Sequence, residues 1–312
     1  MTPLPFFLPM ASCPHRCIYC DQTSITGKST VPSPDDVAKR LAMEKEPLEV
    51  CFFGGSFTCL PKERREAYIG AFLKAPQGSR LRFSTHPLCV NGAILREFAG
   101  LSLASIEVGI SSLDDAVLST CRRGYSGQEA IEAIKEILDF SYPVGVQLMI
   151  GLPGQSEESS MEDIDRLAQV KGPRDMELRI YPCLVIDGTP LAEMVRSKVY
   201  VPLSLEECVR RSGKLLQRAR SLGFTILRVG LLETTSLAKL VVGGPYHPAL
   251  GELARAEALA LELTRLSSSG PWVLSSASTS LLLGHGGFGL RRLAQVAGMD
   301  TDTARSLILW WQ

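Results

Sequence analysis

The chain has 312 residues, and its 33 Lys and Arg balance 33 Asp and Glu, so no global field draws it to DNA, RNA or a membrane surface and any nucleic-acid contact has to be local. The opening MTPLPFFLPMAS lacks the basic region and long apolar run of a signal peptide, and no later segment supplies the roughly 20 apolar residues of a membrane span. Nine cysteines, an odd number, exclude a secreted disulfide framework and point to a cytoplasmic protein with reduced thiols, some of them metal ligands.

From Phe6 to about Gly223, short β-rich runs alternate with longer amphipathic stretches, the pattern of βα units around a parallel sheet. The first strand is expected at Phe6 to Leu8. The string S-C-P-H-R-C-I-Y-C-D follows it, and puts Cys13, Cys17 and Cys20 at i, i+4 and i+7 in a loop. Three thiolates suit a 4Fe-4S cubane, in which they leave the fourth iron open to a chelating group such as the amino and carboxylate of S-adenosylmethionine (SAM). A structural zinc would want a fourth Cys or His, for which only His15 is local; chance grouping of buried thiols is the third reading.

A helix from Asp35 to Glu44 leads to a strand from Leu48 to Phe53 that ends in F-F-G-G-S, that is, Phe53, Gly54, Gly55 and Ser56. Paired glycines at a strand end let backbone approach a ligand closely, and equally serve a plain strand-to-helix turn. Helix Lys62 to Leu73, strand Arg80 to Ser84 with R-F-S-T-H-P, and helix Asn91 to Phe98 follow. The fourth strand, Ala104 to Ile110, runs into I-S-S-L-D-D and then C-R-R-G-Y before a helix from Gln128 to Phe140. The fifth, Val144 to Ile150, ends in I-G-L-P-G-Q; helix Glu162 to Val170, strand Met176 to Tyr181 and helix Leu205 to Leu222 complete six units. Each strand carries polar groups at its C-terminal end, the face on which parallel barrels build active sites. There Arg123 is a fork for a carboxylate, or else one half of a surface ion pair. Ser111 and Gln147 are hydrogen-bonding groups for ribose or methionine, or else Gln147 caps a buried network; Ser84 is a further cofactor-binding candidate, and Gly151 and Leu152 belong to a turn that could lie against adenine.

Six strands followed by a different tail predict an α/β fold, a partial (βα)6 TIM-like barrel open on one side over residues 1–240, with a small C-terminal α-rich appendage over 241–312. The appendage reads as a turn-rich G-P-Y-H-P segment, a helix from Leu250 to Leu266, a Gly-rich loop at Gly284 to Gly289 and a last helix from Thr301. His247 and that loop either border the substrate opening or only form turns. Cys51 and Cys208 read as core thiols, and Cys59, Cys89, Cys121 and Cys183, near strand ends, as buried or inert thiols, or one of them as a thiol that quenches a radical or carries substrate. Arg210, Arg211, Lys214, Arg218 and Arg220 are either a solvated helix face or a local RNA patch.

CxxxCxxC with Tyr19 before its last cysteine resembles the signature of the radical SAM superfamily. The resemblance implies a 4Fe-4S cluster on Cys13, Cys17 and Cys20, with SAM as second cofactor. Gly54 and Gly55 would lie at the amino group of SAM, and Ser56 stands where Glu is common. It further implies an electron donor such as flavodoxin or ferredoxin and a 5′-deoxyadenosyl radical that abstracts hydrogen from substrate; no side chain is singled out as catalytic. L-R-I-Y-P at Leu178, I-L-R-V-G-L at Ile226 and G-P-Y-H-P at Gly244 resemble the elongator-complex catalytic subunit-like branch over about the first 250 residues, while I-G-L-P-G-Q also resembles coproporphyrinogen-dehydrogenase-like proteins. Elongator-type relatives modify wobble uridine in tRNA with a further acetyltransferase domain, for which the roughly 70 residues after Leu240 are too few. Three functions stay open: modification of RNA or tRNA, maturation of a small molecule or cofactor, and a non-catalytic haem or cluster carrier.

Overall fold

A computed structural model describes residues 1–27, 30–231 and 235–311. Strands β1 (Thr2–Phe7), β2 (Leu48–Phe53), β3 (Arg80–Thr85), β4 (Leu103–Ser111), β5 (Val144–Ile150) and β6 (Glu177–Pro182) come in the expected order. A two-residue β7 (Val185–Ile186) precedes β8 (Thr225–Val229), and among the described residues one parallel sheet runs β1-β2-β3-β4-β5-β6-β8, curled into a half-barrel. The crossovers are α1 (Gln22–Thr26) and α2 (Pro34–Leu41), α3 (Lys62–Phe72), α4 (Gly92–Leu95), α5 (Asp115–Thr120) and α6 (Gly127–Asp139), α7 (Glu157–Lys171), then α8 (Pro190–Arg196) and α9 (Leu205–Ser221). Helix starts follow local chemistry: Ser33 and Ser126 form capping boxes with Asp36 and Glu129, and Ser156 and Ser204 cap α7 and α9.

The partial barrel forms as expected, with one strand more than six. T-I-L-R-V is too short and too mixed to read as a buried strand, but pairing with β6 holds it as the sheet edge. The first strand is Thr2–Phe7 rather than Phe6 to Leu8. Pro3 and Pro5 argue against a strand, yet β1 is the opposite edge, where alternate residues need no partner for N–H. The cap at Ser156 starts α7 five residues before the expected Glu162. The expected helix to Phe98 breaks after Leu95 into a 3₁₀ turn.

Alternation along the strands separates two environments. Val50, Phe52, Leu81, Phe83, Ile106, Val108, Val146, Leu148, Leu178 and Ile180 are buried in the main core, which also takes in helix residues such as Ile134, Ile137 and Leu167, each such burial contributing about 1.5–3 kcal/mol. The alternate residues, among them Glu49, Arg82, Glu107, Gln147, Glu177 and Arg179, are joined to one another by hydrogen bonds across the lumen.

Beyond the sheet lie α10 (Thr235–Leu240), β9 (Val241–Gly243), α11 (Leu250–Leu266), β10 (Trp272–Ser275), α12 (Thr279–Ala297), α13 (Thr301–Ser306) and β11 (Ile308–Trp311). The expected Gly-rich loop is a break inside α12, where residues 284–287 leave helical geometry. The pairing of β10 with β11 was not anticipated. Leu250, Leu253, Ala254 and Ala258 of α11 pack in the main core, whereas Ala260 and Leu263 join a second core with Trp272, Leu290 and Ile308. No helix among the described residues is long and apolar enough to cross a membrane.

Candidate functional site

The cysteine loop begins where β1 stops. Met10 and Ser12 adopt positive φ (56° and 52°), Met10 N donates to Gln22 Oε1 at 2.6 Å, and Ala11 N donates to Leu8 O at 3.0 Å. The loop is thereby folded over the end of β2. Ser56 N donates to Ala11 O at 3.0 Å, and Ser56 Oγ lies 3.8 Å from Cys13 Sγ. A Cβ on Gly55 would sit 2.6 Å from both Leu8 O and Ala11 O, so no other residue fits without displacing the loop.

The other side of the loop rests on the segment after β4. Ile18 N donates to Cys121 O at 3.3 Å, and the Tyr19 hydroxyl and Ser111 Oγ share a hydrogen bond of 2.8 Å. Arg123 Nη1 donates to Cys17 Sγ at 3.0 Å. Its Nε donates to the Tyr125 hydroxyl at 2.9 Å and its Nη2 to Gly109 O. Arg123 is 8% exposed and forms no ion pair among the described residues, so the surface-pair alternative falls. Leu152 packs with Ile18, Tyr19, Val117 and Cys121, and brings the turn after β5 to the same loop.

Burial, then the charges of Cys17 and Cys13, pushes the Cys20 thiol up to about 12. Burial also raises Cys13, against the Ser56 hydrogen bond and with Cys17 adding to it. The three thiols are thus close enough to oppose one another's ionisation, and a cation that compensates their charge would be bound by all three. Among the described residues no three His, Cys, Asp or Glu side chains converge as a single-ion site; a cubane takes one thiolate per iron, so its ligands need not meet at a point. The donor set fits an iron-sulfur cluster.

Behind the loop the lumen is polar. Gln147 Nε2 donates to Glu107 Oε2 at 2.7 Å and lies 3.3 Å from Ser84 Oγ. Arg179 binds Glu107 with both Nε and Nη2, at 2.8 and 2.9 Å, and its guanidinium lies over the Phe53 ring at 5.6 Å. Arg82 reaches Glu49 and Glu177, each at 2.6 Å, and Glu107 at 3.0 Å. All the expected site residues therefore gather on the C-terminal half of the sheet and its loops.

Sequence reasoning missed the supports of this site. Gln155 Oε1 accepts from Gly151 N and Leu152 N at 2.8 and 3.1 Å, and its Nε2 donates to Met149 O, so one amide shapes the whole turn. Asp163 on α7 accepts from Ser112 Oγ and Leu113 N, both at 2.8 Å, and holds the end of β4. His86 is 5% exposed, with its ring edge-on to Tyr125 and its Nε2 unpaired among the described residues. Burial first, then the Arg123 charge, depresses it to about 3. The lumen network had a signal: Arg82, Glu107, Gln147 and Arg179 interrupt apolar strands at inward positions.

Other expectations resolve as follows. Cys59 and Cys89 are not free thiols but a disulfide, because the 3₁₀ turns after adjacent strands β2 and β3 bring their Cα atoms to 5.1 Å. Cys51, Cys121, Cys183 and Cys208 are free and buried. Four of the five α9 cations answer carboxylates: Arg210 and Lys214 bind Glu157 of α7, Arg211 binds Glu207, and Arg218 binds Asp165, while Arg220 has no ion pair among the described residues. His247 accepts from Ala249 N in its own turn and lies beside His285, which pairs with Glu252.

Comparison with known proteins gives two family models, described as the radical SAM superfamily over residues 7–167 and the radical SAM C-terminal domain over residues 176–260. The chain is 24% identical over 289 residues to the tRNA uridine(34) acetyltransferase of Methanocaldococcus infernus, covering 78% of this chain and 53% of the relative. It is 26% identical to Elongator complex protein 3 of Homo sapiens, over 70% of this chain and 43% of the relative. It therefore spans about half the length of the curated relatives it matches. Among solved structures, the archaeal Methanocaldococcus infernus Elp3 superposes with a TM-score of 0.62 at 20% identity, covering 84% of this chain and 63% of that one. Streptococcus suis SuiB bound to S-adenosylmethionine gives 0.52 at 14% identity, over 73% and 47%. These likenesses show a shared fold.

Proposed function

The chain belongs to the radical SAM superfamily of enzymes, and from this we propose that Cys13, Cys17 and Cys20 hold a 4Fe-4S cluster and that SAM lies against the C-terminal ends of β2 to β5. When bound, these groups supply a 5′-deoxyadenosyl radical by one-electron reductive cleavage of SAM, with the electron drawn from a donor of the flavodoxin or ferredoxin type.

The chain's residues do the holding. The backbone at Gly54, Gly55 and Ser56 would meet the methionine amino group, and the bare Cα of Gly55 lets the cysteine loop close over that strand end. Arg123 has Nε and Nη2 fixed by Tyr125 and Gly109 and Nη1 on Cys17 Sγ, and would hold the methionine carboxylate with the same Nη1 arm. Ser111, held by Tyr19, and Gln147 with Ser84 face the ribose and methionine, and the Gly151–Leu152 turn set by Gln155 lies against adenine. Phe53, under Arg179, closes the floor.

The substrate we propose is a nucleobase in RNA, the choice favoured by the likeness to a tRNA uridine(34) acetyltransferase. Maturation of a small molecule and a haem or cluster carrier are the alternatives. The observation that carries the chemistry is the cysteine loop fastened at once to Ser56, Ser111 and Arg123. The test is anaerobic reconstitution with iron and sulfide, then dithionite and SAM, with 5′-deoxyadenosine quantified. Cys17→Ala is expected to abolish both the cluster absorbance and the product, and Cys208→Ala to keep both. Equal loss in the two variants would overturn the ligand set, and a stable cluster without cleavage would favour the carrier.

A further inference from the structure

Strand β8 forms one free edge of the sheet. Along its ladder with β6, Leu178 pairs with Ile226 but Arg179 pairs with Arg228, so Leu227 is left over. Such an extra residue turns the side chains that follow it to the other face. Ile226 shares the outward face of Leu178 and packs on the main core. Arg228, two residues later, shares the inward face of Arg179. Without the register shift it would point among the helices.

Arg228 is partly buried. Its ladder partner Arg179 is engaged with Glu107, and the Arg82 further along the sheet with Glu49, Glu107 and Glu177. Arg228 itself forms no hydrogen bond or ion pair among the described residues, and it lies near enough to Tyr181 to interact with its hydroxyl electrostatically. A guanidinium set beside a like charge, with no counter-charge among the described residues, gains by binding an anion. The same ladder row continues from Arg228 through Arg179 to Gln147. Strands lie about 4.8 Å apart, so Arg228 stands roughly 10 Å from the wall proposed for SAM, at the open side.

We propose that Arg228 anchors a phosphate of the substrate at the open edge of the half-barrel, its planar fork taking two phosphate oxygens. A phosphate held there places the attached sugar and base between Arg228 and the SAM wall. This rests on the nucleic-acid reading given above, and the phosphate belongs either to an RNA backbone or to a free nucleotide.

The test uses the full chain with its cluster reconstituted, as wild type, Arg228→Gln and Arg228→Lys. Fluorescein-labelled unmodified tRNA is titrated by anisotropy over a salt series, and UMP by equilibrium dialysis. Arg228→Gln should weaken tRNA binding roughly ten- to hundredfold and lower the slope of log K against log salt by about 1, with Arg228→Lys between the two. Since no partner is lost, Arg228→Gln should melt no lower than wild type and keep its substrate-free formation of 5′-deoxyadenosine. Binding of UMP but not tRNA, lost in Arg228→Gln, would uphold the anchor and overturn the RNA reading. Unchanged affinity in Arg228→Gln, binding of neither probe by wild type, or a clear fall in melting temperature would overturn the anchor.

Discussion

Replacing Glu107 with Gln probes the polar filling of the half-barrel. Glu107 is 1% exposed and accepts from Arg82 Nη1, Arg179 Nε and Nη2, and Gln147 Nε2, at 2.7–3.0 Å. Its two arginines are unequally dependent on it. Arg82 keeps Glu49 and Glu177, whereas Arg179 has no other carboxylate among the described residues. Leaving a buried guanidinium uncompensated costs about 3–5 kcal/mol, a large part of a total stability of about 5–15 kcal/mol. Arg179→Met leaves Glu107 with Arg82 and Gln147 and should cost less, about 1–3 kcal/mol. The double variant should cost less than the sum, with a coupling of about 0.5–3 kcal/mol.

Guanidinium chloride unfolding followed by circular dichroism at pH 7, with matched m-values, measures all three. The dependence on pH adds a second reading. Burial opposes ionisation of Glu107, but the hydrogen bond and charge of Arg179, the Gln147 amide and Arg82 outweigh it and hold the carboxyl below the ordinary Glu range. A depressed carboxyl contributes stability above its unfolded value, near about 4.3, and loses it as pH falls through the folded value. The gap between wild type and Glu107→Gln should therefore shrink below about pH 4. A cost for Glu107→Gln under about 1 kcal/mol, or a larger cost for Arg179→Met, would refute the reasoning.

Gly55→Ala puts a methyl against two backbone carbonyls; calorimetry should show SAM affinity down at least about tenfold and stability down by about 1–3 kcal/mol, and intact affinity would mean the loop gives way. Arg123→Met should lower the reduction potential of the reconstituted cluster in an EPR titration, since the donor to Cys17 is lost; Tyr125→Phe, which removes the partner of Nε but keeps the ring under the guanidinium and the donor to Cys17, should leave it unchanged, and equal shifts would count against a direct effect. His86, depressed to about 3 by burial and the Arg123 charge, binds its proton more readily unfolded, so its contribution to stability is present above about pH 6.5 and is lost at up to about 1.4 kcal/mol per pH unit below that. Asp163, raised to about 6 by burial, titrates in the opposite sense, so the readout is the difference between wild type and His86→Gln from pH 7 to pH 5; a constant difference would disprove it.

Much of the fold was legible because Leu48–Phe53, Val144–Ile150 and their neighbours are dense apolar runs between capped helices. Edge strands were not. Proline at positions 3 and 5, and the short T-I-L-R-V run, are tolerated only because one side of each strand has no partner, a fact of topology rather than of composition. The cysteine loop could be read since its chemistry lies in consecutive residues. Tyr125, His86 and Gln155 could not, because each acts on a loop contributed by a distant or irregular stretch. The Cys59–Cys89 bridge escaped for a like reason, its partners being 30 residues apart and adjacent only through the order of β2 and β3.

Helix α11 has a consequence for how the polypeptide can be divided. Its first turns complete the packing around α9, where Gly213 lets it come so close that a Cβ would meet Glu257 Cβ at 2.6 Å. Its last turns belong to the other core, and Glu257 ties it to Arg292 of α12. A shortened chain ending at residue 240 would strip Leu250, Leu253, Ala254 and Ala258 from the barrel and leave the buried Val209, Ser212 and Leu216 face of α9 bare to water, a surface prone to self-association. A tail begun at 241 would carry that same greasy stripe away with it. A cut anywhere along this helix therefore takes packing from one core or the other.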